Sequence, residues 1–222
     1  MDAGQLRDLL GDKYSQLHSY HDLLLHRGIE WGLLGPNEAD RIWERHILNS
    51  LALEPLCGEG VSVLDVGSGA GLPGLVLAIY RPDLRVTLLD SKRRRTDFLN
   101  LAVSELGVHN VNVVRDRVED YPSRADYPGG FDIVTCRALS GLLTVIRWCL
   151  PLLNPDGVLL SMRGESAADE VGDVRNRLQM AVKLQLAKVD VPGTSERTRV
   201  VIASRGDGPL PYLGMPQMDY IY

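Results

Sequence analysis

Residues 61–74 read Val-Ser-Val-Leu-Asp-Val-Gly-Ser-Gly-Ala-Gly-Leu-Pro-Gly, and the next apolar run ends at Asp90. The pattern predicts a buried strand, a glycine-rich turn, a helix, and a second strand with an acid at its tip. Glycines let the backbone come close to a ligand because no Cβ stands in the way. A carboxylate at the end of the second strand can accept both hydroxyls of a ribose. The segment therefore predicts a site for an adenosine-bearing cofactor.

A chain of 222 residues is one domain, or one domain with an appendage. It is long enough to bury a substantial core. No apolar run approaches the ~20 residues that cross a bilayer. Asp2, Arg7, Asp8, Asp12 and Lys13 near the start do not fit a signal peptide. Cys57, Cys136 and Cys149 show no CxxC spacing and are odd in number, which suits buried thiols in a reducing cytoplasm. The net charge of -5 argues against indiscriminate nucleic-acid binding, although it leaves room for a local basic face.

The first 56 residues differ in character from the rest. Leu6, Leu9, Leu10, Leu17, Tyr20 and Leu23–Leu25 are spaced as in an amphipathic helix over residues 5–27, bent at Gly11 and stopped at Gly28. Gly35-Pro36 predicts a turn, Asn37 an N-cap, and residues 38–47 a helix that 49–56 extends. Residues 1–56 thus read as a helical cap on a core at 57–204. In the core, predicted strands at 61–65, 85–89, 111–115, 131–136 and 157–162 alternate with predicted helices at 71–80, 92–106, 141–150 and 167–181. This rhythm predicts an α/β fold with a mostly parallel sheet covered on both faces. Residues 184–191 and 198–204, joined through Pro192-Gly193, predict a terminal antiparallel hairpin, and residues 205–222 an irregular tail. A doubly wound sheet ending in such a hairpin is the Rossmann-like shape of class I methyltransferases dependent on S-adenosyl-L-methionine (AdoMet).

Gly69, Gly71 and Gly74 also satisfy G-x-G-x-x-G, which NAD and FAD sites share. Two features favour AdoMet. Asp65, two residues before Gly67, is placed to reach the methionine amine, and Pro73 sits at the first turn of the helix, where a missing N–H costs little. A hydride-transfer enzyme also needs a substrate domain, for which little chain remains. The plainer reading of the glycines is a turn that only allows close strand–helix packing. A NAD-dependent oxidoreductase and a non-catalytic RNA-binding module stay open as alternatives.

The segment Asp65–Gly74 resembles the small-subunit ribosomal RNA methyltransferase family RsmG, also called GidB. So do Arg45-His-Ile-Leu-Asn-Ser50, Arg117-Val-Glu119 and Arg137-Ala138, with residues 28–36 similar to the actinobacterial branch. The resemblance covers about Glu30 to Ser204. It implies AdoMet as cofactor and methylation of the N7 atom of one guanine in the decoding-centre loop of 16S rRNA. It implies that Gly67 and Leu72 line the cofactor site, with Gly69 in the same turn. It further implies that Asp90 holds the ribose, that Val118 and Glu119 flank the adenine, and that Arg137 stands between cofactor and target base. The chain departs from the family at Cys136, where serine is usual, at Arg163, where lysine is usual, and at Asn49, where aspartate is usual.

Methylating guanine N7 removes no proton, so the chemistry requires no general base, and a search for a catalytic histidine or cysteine is the wrong test. An arginine on the base's O6 would identify guanine and orient N7. Arg137 is the first choice for this role and Arg163 the second. The plainer reading of Arg137 is a salt bridge to Glu119 or Asp65, and that of Cys136 is a buried thiol. Lys92, Arg93, Arg94 and Arg95 open a helix against its dipole, so helix stability does not explain them. Lys92, Arg93 and Arg94, with Arg45 and His46, are expected to form an RNA-facing rim; charge runs are otherwise solvated faces. The five histidines show no metal-ligand spacing. The expected partner is 16S rRNA or a small-subunit particle, met by a monomer without membrane or metal.

Overall fold

The computed structural model describes residues 1–177, 182–206 and, as backbone, 218–220. Helix α1 (Ala3–Leu10) starts at a capping box, in which the Asp2 carboxylate accepts from the Gln5 N–H and the Gln5 side chain accepts from the Asp2 N–H. A tight turn at Gly11–Lys13 separates it from α2 (Tyr14–Leu23), which runs on as a π-helical turn through Leu24–Gly28. The helix expected over 38–47 takes another form. Pro36–Arg41 is a 3-10 turn, and Ile42–Leu48 is π-helical and leads into α3 (Asn49–Leu51). Leu17, Tyr20, Ile42, Ile47 and Leu51 are fully buried in one cluster with Leu75, Leu88 and Phe98 of the core.

The sheet comprises β1 (Ser62–Val66), β2 (Arg85–Asp90), β3 (Val111–Arg115), β4 (Phe131–Arg137), β5 (Leu153–Arg163), β6 (Val182–Asp190), β7 (Arg197–Arg205) and β8 (Met218–Tyr220). Their order is β3-β2-β1-β4-β5-β7-β6-β8. Pairing is parallel from β3 to β5 and antiparallel around β7 and β6. Helices α4 (Gly74–Tyr80), α5 (Arg93–Glu105), α6 (Leu142–Cys149) and α7 (Ala167–Arg177) make the connections. Sheet faces are buried on both sides by two apolar clusters, which is why apolar residues in β1 and β4 fall on both faces rather than alternating with polar ones.

Three boundaries differ from the sequence reading. Residues 71–73 are a turn, so α4 begins at Gly74. Strand β5 begins at Leu153 and absorbs a register irregularity opposite Phe131 and Ile133. The tail, expected to be irregular, contributes β8, which pairs Tyr220 with Ala187 and Met218 with Val189. An uncovered β6 would present an edge of unpaired N–H and C=O groups, and β8 covers part of it. The rest of the tail beyond Gly206, and positions 178–181 of the helix expected over 167–181, lie outside the described residues.

In this order the chain winds outward from β1 through β2 and β3, then returns to the other side of β1 as β4. The crevice at this reversal opens at the carboxyl ends of the strands. Asp65, Asp90 and Arg137 lie at or one residue from the carboxyl ends of β1, β2 and β4.

Candidate active site

The turn after β1 is shaped by close contacts. Gly67 has φ +73°, and a Cβ placed on it would stand 2.5 Å from Leu139 Cδ1. Gly74 has the different task of packing, since a Cβ there would meet Leu88 Cδ2 at 2.5 Å and Asp65 Cβ at 2.6 Å. From the cap, the buried Tyr20 hydroxyl donates to the Ala70 carbonyl oxygen at 2.5 Å and ties α2 to the turn. Burial pushes the Tyr20 phenol well above its ordinary range, so it stays a neutral donor.

Asp65 is fully buried. Its Oδ2 accepts from the Gly74 N–H at 3.0 Å, while Oδ1 has no partner. Burial pushes the carboxyl up to about 7 against the opposing pull of that N–H, and the Asp90 charge adds to the rise. Asp90 is oriented by three donors. The Gly69 N–H and Arg95 Nη1 reach Oδ2 at 3.1 and 3.2 Å, and the Lys92 N–H reaches Oδ1 at 2.9 Å.

Gly67, Asp90, Val118 and Glu119 line one cleft. Leu139, Trp148, Arg95 and Arg117 are among the other residues that line it, and sequence reasoning missed them as site residues. Leu139 carried a faint signal, two residues after Arg137. Trp148 carried none, because a tryptophan on an amphipathic helix reads as core. Leu72 does not line this cleft and belongs to the main apolar cluster.

A second, larger cleft opens at the end of β4 and β5, lined by Arg45, Asn49, Arg137, Arg163, Glu170 and Thr198 among others. It shares Arg45, Asn49, Arg163 and Thr198 with a groove that continues past Arg41 and Arg199. Arg137 makes no salt bridge to Glu119 or Asp65. Glu119 pairs instead with Arg117 at 3.0 Å. Arg137 Nη2 meets His46 Nδ1 at 2.9 Å, and Nη1 is buried without a partner. Arg163 lines the cleft, but its guanidinium is anchored: Nη1 donates to the Ser140 carbonyl oxygen at 2.8 Å and Nη2 to Glu170 Oε2. It braces the loop after β4 against α7. Cys136 is a buried thiol next to Ser161, at 3.4 Å between Sγ and Oγ.

The expected rim is only partly formed by the residues assigned to it. Arg45 is half exposed and lines the second cleft. His46 is not on the rim; it is 6 % exposed, and both ring nitrogens are engaged, by Arg137 and by Glu38 Oε2 at 2.9 Å. Lys92, Arg93 and Arg94 are exposed at the start of α5 and line neither cleft. Arg93 pairs with Asp97, and Arg94 donates to the Glu30 carbonyl oxygen at 3.3 Å.

A glycine turn after the first strand, an oriented acid after the second, and a cleft at the switch point of a mostly parallel sheet define a methyltransferase of the class I fold. The chain belongs to the rRNA small subunit methyltransferase G family, whose model matches residues 13–201. A relative from Mycolicibacterium smegmatis named ribosomal RNA small subunit methyltransferase G is 44% identical over 199 residues, covering 89% of this chain and 84% of the relative. Another of that name from Salinispora tropica is 49% identical over 174 residues, covering 77% of this chain and 72% of the relative. Among solved structures, a ribosomal protein L11 methylase from Lactobacillus delbrueckii aligns with TM-score 0.53 and 18% identity, covering 72% of this chain and 77% of that one. An rRNA methylase from Streptococcus thermophilus aligns with TM-score 0.51 and 17% identity, covering 71% and 94%. At these identities the two structures speak for the fold alone. Among the described residues, no helix is long and apolar enough to cross a membrane.

Proposed function

We propose that this chain transfers a methyl group from AdoMet to N7 of a specific guanine in 16S rRNA, acting in the cytoplasm as a monomer. Membership of the rRNA small subunit methyltransferase G family supports an rRNA substrate. The observation that carries the base-specific part is the free, buried Nη1 of Arg137, at the end of β4 beside an arginine-lined cleft.

The residues present fit AdoMet. Asp65 Oδ1 is a buried acceptor without a partner at the carboxyl end of β1, to which we assign the ligand's ammonium group, and Gly67 lines the cleft beside Leu139. Asp90, already oriented by Gly69, Lys92 and Arg95, would hold the ribose. Val118, Leu139 and Trp148 offer apolar walls for the adenine, with Glu119 at the rim. When bound, AdoMet supplies an electrophilic methyl group.

Arg137 is the group we place on the target base. Guanine presents O6 and N7 as acceptors on one edge, and a guanidinium N–H on O6 fixes the plane of the base and leaves N7 to attack in line. The N7 lone pair carries no proton, so no side chain has to accept one. Arg45 and the exposed arginines of the adjoining groove, with Lys92, Arg93 and Arg94 on the α5 side, would meet phosphates. The test is methyl transfer to rRNA from a strain lacking the gene, with the modified position mapped. Label at N7 of one guanine in 16S rRNA supports the reading, and label at another atom or on another molecule overturns it.

A further inference from the structure

Arg137 is held from the cap. Glu38 lies in the turn Pro36–Arg41 and His46 in the π-helical stretch Ile42–Leu48, both outside the sheet that carries Arg137. The chain Glu38 Oε2, His46 Nε2, His46 Nδ1, Arg137 Nη2 closes through two contacts of 2.9 Å each. A guanidinium has only N–H groups to offer. His46 Nδ1 must therefore be bare, which puts the ring proton on Nε2, where it is donated to the Glu38 carboxylate. A doubly protonated ring would set donor against donor at Arg137. Burial and the Arg137 charge together push the imidazole down to about 4, so the neutral ring is the stable one. Glu38 Oε1 in turn accepts from Arg45 Nη1 at 3.2 Å, so the same carboxylate ties down an arginine of the second cleft.

A buried guanidinium normally meets a carboxylate. Here its direct partner is a neutral ring, and one N–H-bearing nitrogen has nothing to bind. The arrangement orients Arg137 without satisfying it.

We propose that Glu38 and His46 form a positioning relay, in which the carboxylate fixes the tautomer of the imidazole and the imidazole fixes the guanidinium of Arg137 with Nη1 aimed at the acceptor base. The relay rests on the reading of Arg137 given above. It makes residues 36–48 part of the active centre, with neither Glu38 nor His46 touching the reacting atoms.

The test combines kinetics with imidazole nitrogen NMR on the full chain. His46→Leu removes the acceptor at nearly constant volume, whereas His46→Asn keeps an oxygen where Nδ1 stands. At saturating AdoMet, His46→Leu is expected to lower kcat by about tenfold to a hundredfold, the scale for a displaced orienting group. AdoMet affinity should be unchanged, and His46→Asn should recover much of the loss. The wild-type spectrum should show a neutral ring with the proton on Nε2, and Glu38→Ala should abolish that preference. The relay is overturned if His46→Leu keeps full kcat, if His46→Asn is no better than His46→Leu, or if wild-type Nδ1 carries the proton. Arg137→Ala, assayed in parallel, separates the two claims. If it is inactive while His46→Leu is fully active, the relay alone fails; if it is fully active, the role of Arg137 fails first.

Discussion

Asp65 and Arg137 leave neighbouring parallel strands with one buried atom each unpartnered, Oδ1 on the first and Nη1 on the second. Among the described residues no other buried side-chain nitrogen or oxygen lacks a partner. Asp65 lies opposite Thr135, so Arg137, two residues on, returns to the same side of the sheet. The Arg137 group is a donor, and the Asp65 oxygen is an acceptor once the carboxyl is ionised. Native interiors rarely leave such atoms alone. The proposed ligands would meet both, a cation toward β1 and an acceptor edge toward β4.

The proposed contact of Asp65 with the AdoMet ammonium predicts a pH dependence of binding. Its value is raised from 3.8 to about 7, so the ligand-free folded chain keeps a proton that the unfolded chain releases across that window. Ligand-free stability therefore falls as pH rises from about 4 to about 7, because the folded state binds the extra proton. An ammonium partner needs the ionised carboxylate, so AdoMet binding below neutrality releases a proton and strengthens as pH rises toward 7. Calorimetry in buffers of different ionisation enthalpy will show that release, and Asp65→Asn will abolish it.

Asp90→Ala is expected to weaken AdoMet binding by roughly 1–3 kcal/mol, the scale for losing hydrogen bonds to a charged group. Gly67→Val will do worse, because the turn holds φ +73° and a Cβ there collides with Leu139. Titration calorimetry on both variants, with circular dichroism to confirm folding, checks the order.

Tyr20→Phe removes the hydrogen bond that ties α2 to the Ala70 carbonyl and leaves that oxygen short of a donor. The expected cost is about 1 kcal/mol, or a fall in Tm of about 2–4 °C for a chain of this size. Scanning calorimetry reads it directly.

Neutralising Lys92, Arg93 and Arg94 together should weaken RNA binding and flatten its salt dependence by up to about 2 in the log–log slope, if all three meet phosphates. AdoMet affinity should not change. An unaltered slope would assign RNA contact to the arginines of the second cleft and its groove instead.

The sheet and the glycine turn were legible because their signals are local. The run Val61–Val66 is mostly apolar, Gly67 needs its positive φ, and Asp90 ends a strand. The reading of Val118 and Glu119 rested on resemblance, and the fold gathers them into one cleft with Gly67 and Asp90. His46 was misplaced on the rim because burial on an irregular helix leaves no periodic trace. Glu38 went unnoticed because its partner is eight residues away on a π-helical stretch, where helical spacing rules do not apply. The anchoring of Arg163 by Ser140 and Glu170 is a tertiary fact with no sequence signature.

The most direct measurement is the single-turnover rate of methyl transfer by Arg137→Ala, with bound AdoMet and rRNA lacking the modification. The expected result is a loss of about a hundredfold or more, with AdoMet affinity and Tm close to wild type. Arg137→Lys should recover little, since one ammonium cannot copy a planar fork. The wild-type rate should show no basic limb near neutrality, because attack by N7 removes no proton. A wild-type rate in Arg137→Ala would show that Arg137 does not orient the target base.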